Sequence, residues 1–393
     1  MNRPLNIVVL GLSITSSWGN GHATTYRALL QAFAALGHHV LFLERDVPWY
    51  ASHRDGGEPQ NCKIRLYANL AELMEEFRDV IADADAVVVG SYVPDGCAVT
   101  QWVTGVARGL KLFYDIDTPV TLTQLSNGDA EYLSRNSVSE LDAYLSFTGG
   151  PTLATIEQAF GARLALPLYC SADPASYTPR PSNAEVDLGY LGTYSTDRQP
   201  TLERLLNEPA RRWSKGKFVV AGPRYPQYNW PANVTRVEHV GPDEHVRFYR
   251  SLRFTLNVTR ADMIARGYSP SVRLFEAAAC AVPVVSDAWA GIEEFFEPGR
   301  EILLAEHPEQ VLTALRNMPE AERIEIGSRA RARVLAQHTS QHRARQLEHY
   351  IVELRNGCAT NLRALEGTGR QRRQGESPAA IQRARQRSHE SAT

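Results

Sequence analysis

Hydrophobic positions in the first half of the chain come in short unbroken runs separated by amphipathic stretches. Ile7–Leu12, Val40–Leu43, Ala86–Val89, Leu110–Tyr114 and Tyr144–Phe147 have the β-rich, non-alternating character of strands covered on both faces. Thr24–Leu36, Ala98–Ala107 and the stretch from Gly150 through Phe160 between them have helical spacing, and Gly37 stops the first. Tyr67, Leu70, Leu73 and Phe77 also share a helical face and read as core. The pattern pauses at Ser171–Glu185, rich in Pro, Ser and Asn, and then restarts. Strands are predicted at Asp187–Leu191, Phe218–Ala221, Phe254–Val258 and Val282–Ser286, with helices at Gln199–Leu206, Asp243–Ser251 and Pro270–Cys280.

This rhythm predicts an α/β protein of two doubly wound Rossmann-like domains facing each other across a cleft. The predicted units are 1–170, a linker at 171–186, a second domain at 187–337, a helix at 338–356 that folds back across the joint, and a basic, disordered tail at 357–393. A length of 393 residues suits two such domains. The formal charge of −2 gives no reason to expect nucleic acid as the main partner. No stretch is apolar enough to span a bilayer, the N-terminus lacks a secretory pattern, and peripheral membrane contact stays open. Five scattered cysteines without a CxxC pair point to reduced thiols in the cytoplasm.

The strongest chemical signal is Ser269-Pro270-Ser271-Val272-Arg273-Leu274-Phe275-Glu276, followed by Ala277–Asp287. Ser269 is expected to cap a helix whose first residue is Pro270. The first-turn N–H groups, those of Ser271 and Val272 among them, then favour a diphosphate. Arg273 and Glu276, three apart, share a face; one suits phosphate and the other ribose hydroxyls. An ordinary Arg–Glu surface pair is the alternative. Arg260, ending a strand, is a further phosphate candidate.

Gly19 and Gly21, in the loop after the first strand, permit close backbone approach to a ligand. The loop is too long for a dinucleotide fingerprint, and a Thr stands in place of the third glycine. His22 opens the next helix, either as a proton acceptor or as a residue bonding the loop. Asp115 and Asp117 have the D-x-D spacing of a metal pair, but alternate strand residues point to opposite faces, so no metal site is expected. Asp117 is favoured as the cleft residue, orienting His22 or binding an acceptor hydroxyl.

The Ser269–Asp287 segment, with Gly291–Ile302, resembles the donor-binding half of GT-B glycosyltransferases, most closely the family related to the spore maturation protein CgeB. The resemblance runs to about Arg355. It implies transfer of a sugar from a nucleoside diphosphate donor to an unidentified acceptor (a small molecule, glycan or protein), with no cofactor and no catalytic metal. It places a ribose-binding Glu at Glu276, a phosphate-side loop at Gly192 and Arg198, and a backbone contact to the base at Val240. It sets Gly19, Gly21 and His22 on the facing domain, where some inverting families carry a His as general base. The broader retaining group usually has a second Glu eight positions earlier; here Tyr268 occupies that place. A nucleotide-sugar epimerase and a non-catalytic coat-assembly protein can share the same fold.

Overall fold

The computed structural model describes residues 3–56, 59, 61–179, 184–358 and 362. The chain divides into two compact units, Met1–Leu347 and Glu348–Thr393. The second begins within a helix, Ser340–Arg355, and most of the predicted tail lies outside the described residues. Among those residues no helix is long and apolar enough to cross a membrane.

The first unit holds two parallel sheets. One contains β1 (Asn6–Gly11), β2 (His39–Arg45), β3 (Cys62–Tyr67), β4 (Ala86–Gly90), β5 (Leu110–Asp115), β6 (Ala143–Ser146) and β7 (Ala165–Pro167), in the order β3-β2-β1-β4-β5-β6-β7. The other contains β8 (Val186–Leu191), β9 (Phe218–Ala221), β10 (Val234–Val237), β11 (Leu252–Asn257), β12 (Val284–Ser286) and β13 (Leu303–Leu304), in the order β10-β9-β8-β11-β12-β13. Central strands such as Val8–Leu10 and Val87–Val89 are buried on both faces, as unbroken apolar runs require. Register follows from this pattern: Val8 pairs with Leu41 on one side and Val87 on the other.

Each sheet reverses its order at one point, between β1 and β4 and between β8 and β11. There the two flanking connections leave in opposite directions, and the crevice beyond the strand ends is open to a ligand. This architecture is the GT-B fold. The Ser269–Asp287 helix starts later than expected. It spans Val272–Ala279 with Ser271 at its N-cap position, while Ser269 is buried and accepts from the Thr148 hydroxyl at 2.9 Å. Ser271, with an extended backbone, comes first, and its hydroxyl bonds Asn257 Oδ1 at 2.8 Å instead of capping.

The loop after β1 is held by one buried carboxylate. Glu44 at the end of β2 is 1% exposed and accepts from the Ser13 hydroxyl (2.9 Å), the Ile14 N–H (2.7 Å), the Thr15 N–H (3.0 Å) and the Thr15 hydroxyl (2.6 Å). Asn20 then donates to the Ser13 and Ser16 carbonyls and accepts from the His22 N–H. Glu44→Ala strands four buried donors. Urea unfolding should show stability lower by about 3 kcal/mol; an unchanged midpoint would mean that the loop is held by something else.

Candidate functional site

The two switch points face one another, and a cavity of about 170 Å³ lies between them. Ser17, Gly19, Asn20, Gly21 and Thr24 line it from the first sheet's side; Gly192, Val240, Val272, Arg273 and Glu276 line it from the second. A larger chamber of about 510 Å³ shares Thr24, Val272 and Glu276 with it.

Arg273 is 8% exposed. Its Nε donates to the Leu191 carbonyl at 2.6 Å, one Nη donates to Asn257 Oδ1 at 2.8 Å, and the guanidinium lies over the Tyr190 ring at 4.9 Å. Among the described residues it forms no ion pair. Glu276, one turn later and 4% exposed, likewise has no cation partner; its oxygens accept from Tyr177 (2.8 Å) and Tyr249 (3.0 Å). Burial, and then the Glu276 carboxylate, pushes both tyrosine hydroxyls well up, so they remain donors. A buried guanidinium and a buried carboxylate, unpaired with each other on one helix face, are costly unless a ligand completes them. The helix start beside them has no side-chain cap, which leaves first-turn N–H groups for an anion.

The loop after β8 is shaped by close backbone approach. A Cβ on Gly222, at φ +139°, would lie 2.1 Å from the Gly192 carbonyl oxygen, and one on Gly192 would lie 2.9 Å from an Arg273 Nη. At position 222 no other residue fits this floor. Arg198 is not at the cavity wall; it donates to the Thr193 carbonyl at 2.7 Å and so shapes this loop, and its Nε has no hydrogen-bond partner.

A second group spans the cleft. Asp117 accepts from the Tyr92 hydroxyl at 2.9 Å and faces Arg260 of the other domain at 3.7 Å; Arg260 also faces Asp197 at 3.8 Å. His22 is the first residue of the helix His22–Ala35, sets its ring edge-on to Tyr92 (5.4 Å between centroids), and leaves Nδ1 without a hydrogen-bond partner. Burial lowers its pKa and Asp117 opposes that. The structure thus brings His22, Asp117 and Arg260 together beside the cavity rather than in its wall.

Asp115 is held by neighbours within its own half of the molecule. It is fully buried, accepts from the Tyr144 hydroxyl and from Thr121 (2.8 Å), and accepts the Asp117 N–H at 3.2 Å. Tyr268 is likewise fixed by packing. At φ +50° it bonds the Ala290 carbonyl and the Gly149 N–H through its backbone, and its ring fills the space a Cβ on Gly150 would need. Tyr177, Tyr249 and Glu44 carry no sequence signal as site residues, since each acts through a contact made only in the fold.

Two parallel sheets whose switch points face one another across a cleft, with a buried Arg–Glu helix face beside it, make up the GT-B architecture. The family described as glycosyl transferase-like matches residues 198–349. No curated protein matches the sequence. Among solved structures, the chain is similar to the sucrose-phosphate synthase of Thermosynechococcus elongatus (TM-score 0.66, 15% identity, 90% of this chain and 100% of that one). It is similar to Anabaena HepE, solved with UDP and glucose (TM-score 0.66, 12% identity, 89% and 100%). It is also similar to an α-glucosyltransferase solved with UDP and a DNA containing an HMU base (TM-score 0.67, 12% identity, 89% and 100%). At these identities the likeness is one of fold.

Burial raises the Asp115 pKa from 3.8 to about 6, against the hydrogen bonds from Tyr144 and Thr121. A raised carboxyl contributes stability that is complete below the unfolded value and is lost as pH rises through the folded one. Relative to wild type, Asp115→Asn should therefore lose its disadvantage steadily between about pH 4 and pH 6. Parallel urea titrations that show a pH-independent difference would refute this.

Proposed function

We propose that the protein is a glycosyltransferase that binds a nucleoside diphosphate-sugar in the cleft and passes the sugar to an acceptor held by the first domain. One observation carries this reading: Arg273 and Glu276 are buried on one helix face at the cavity, each without an ionic partner among the described residues. A nucleoside diphosphate has the complementary ends, an anion and a pair of ribose hydroxyls. The diphosphate meets Arg273, the N–H groups at Ser271 and Val272, and the Gly192 loop that Arg198 shapes. Ribose hydroxyls donate to Glu276. The base lies against the backbone at Val240, and Gly19 and Gly21 close over the donor. Neighbouring folds solved with UDP support a uridine donor. The Ser269–Asp287 motif supports a place near the CgeB-like branch.

In the reaction, an acceptor oxygen attacks the anomeric carbon while the bond from that carbon to the diphosphate oxygen breaks. The electron pair leaves with the diphosphate, whose growing charge Arg273 and the helix start stabilise in a water-poor site. Positive groups already in place make a divalent cation unnecessary. His22, kept neutral at pH 7 by its lowered pKa, takes the acceptor proton. Asp117, bonded to Tyr92, holds the charge that favours the resulting imidazolium.

Four outcomes test this. Transfer should survive EDTA; complete loss with rescue by manganese or magnesium would reverse the metal-free reading. Glu276→Ala should weaken UDP binding by about ten- to a hundredfold in calorimetry. His22→Ala should leave UDP binding nearly intact and lower turnover by about a hundredfold. If His22→Ala abolishes nucleotide binding while Glu276→Ala leaves it unchanged, the assignment of roles is wrong. The acid limb of kcat/KM should fall below the ordinary histidine value of 6.5; a limb above it would remove His22 as the base.

A further inference from the structure

The loop after β9 carries a cation that the donor site does not use. Arg224 follows Gly222 and Pro223, which line the donor cavity, but lies outside that wall itself. Its side chain crosses to the facing half: one Nη would lie 3.9 Å from a Cβ on Gly19, in the loop after β1. Burial, and then Glu44, pushes the Tyr50 hydroxyl up, and Arg224 pulls it down, so the guanidinium is close enough to act on the helix Pro48–Ala51 as well. Arg224 is exposed and, among the described residues, forms no ion pair and no side-chain hydrogen bond.

The backbone that presents this side chain is strained and firmly held. Arg224 has φ +69°, a left-handed conformation that costs a residue with a Cβ. The Pro223 carbonyl accepts from the Tyr194 N–H at 3.0 Å, and the Gly222 carbonyl accepts from Arg236 at 2.9 Å. Tyr225, on the other side, donates its hydroxyl to the Gly192 carbonyl at 3.3 Å, with the Arg236 guanidinium over its ring at 4.2 Å. Neighbours on both sides thus fix a conformation whose result is an unpaired guanidinium reaching across the cleft.

Such a group binds an anion best. The carboxylates of the facing loops are already engaged: Glu44 by the loop after β1, and Asp55 by Ser17 and Arg27. The donor diphosphate has Arg273 and the Val272 helix start. A polyanion such as a nucleic acid strand needs a row of unpaired cations along its backbone. In the facing half, however, Arg27 is paired with Asp55 at 2.7 Å, Arg54 with Asp46 at 2.6 Å, and Arg45 with Asp95. One unpaired guanidinium fits one charged group.

We propose that Arg224 is a specificity-determining residue for the acceptor, and that the acceptor is a hydroxylated molecule with a single phosphate or carboxylate, which the guanidinium binds beside Gly19 and Tyr50. The proposal rests on the donor reading above and adds the charge class of the acceptor. Held there, the acceptor lies next to the loop that ends at His22.

The test is binding of the full chain, with UDP present, to an array of phosphorylated sugars, uronic acids, neutral sugars and single-stranded oligonucleotides. The phosphorylated or the carboxylated sugars should be retained over the neutral ones, and the arm retained tells phosphate from carboxylate. Arg224→Ala should weaken that binding by about tenfold or more. Its UDP affinity in calorimetry should stay unchanged, which also shows that the variant is folded. Retention of neither charged sugar by a protein that binds UDP would overturn the proposal and leave the donor reading standing. So would preference for neutral sugars or oligonucleotides, equal binding of the charged sugar by Arg224→Ala, or a parallel loss of UDP affinity, which would assign Arg224 to the donor. If the wild-type protein does not bind UDP, the donor reading falls and takes this proposal with it.

Discussion

The site is organised by two opposite charges buried on one helix face that do not neutralise each other. Arg273 is spent on the Leu191 carbonyl and Asn257, and Glu276 on the hydroxyls of Tyr177 and Tyr249. Direct pairing would satisfy both at lower cost, so their separation marks a constraint other than stability. Much of the second domain serves it. Tyr190 lies under the guanidinium, Tyr249 comes from the helix Pro242–Arg250, and Tyr177 arrives from the segment joining the two sheets. The slim Ala277-Ala278-Ala279 run lets this helix lie buried from Arg273 to Ala279.

The facing half is built on a different principle. Its loops hang from single buried carboxylates: Glu44 gathers the loop after β1, and Asp115 gathers Thr121, Tyr144 and the Asp117 N–H after β5. Such loops can be shaped without adding to the core, which is how a parallel sheet presents chemistry at its strand ends. The halves meet through Thr148 with Ser269, Gly149 with Tyr268, and Asp117 with Arg260. Tyr268 is the residue in this seam with a strained backbone, φ +50°, and its ring leaves room only for glycine at position 150.

The central strands are legible in the sequence because burial on both faces leaves unbroken apolar runs, as in Ile7–Leu10 and Ala86–Val89. The edge strands are not. β3, Cys62–Tyr67, alternates buried and exposed residues, and Tyr67 falls into false helical spacing with Leu70 and Leu73. β7 and β13 are only three and two residues long. In the site, Arg273 and Glu276 stand out because helix start, charge and spacing coincide within eight residues. Tyr177 lies 99 residues from Glu276, and Glu44 about 30 from the loop it holds. No local pattern reports pairings that only the folded chain makes. The Ser269 cap fails for a related reason: Asn257, on another strand, claims Ser271 and shifts the helix start.

The account stands on Arg273 and Glu276 being completed by one ligand, and a crystal structure of the protein with UDP tests that most directly. The account predicts the diphosphate at Arg273 and the Val272 helix start, with ribose hydroxyls within about 3 Å of the Glu276 carboxylate. UDP bound elsewhere, or bound in the cleft with Glu276 still contacting only Tyr177 and Tyr249, would contradict it.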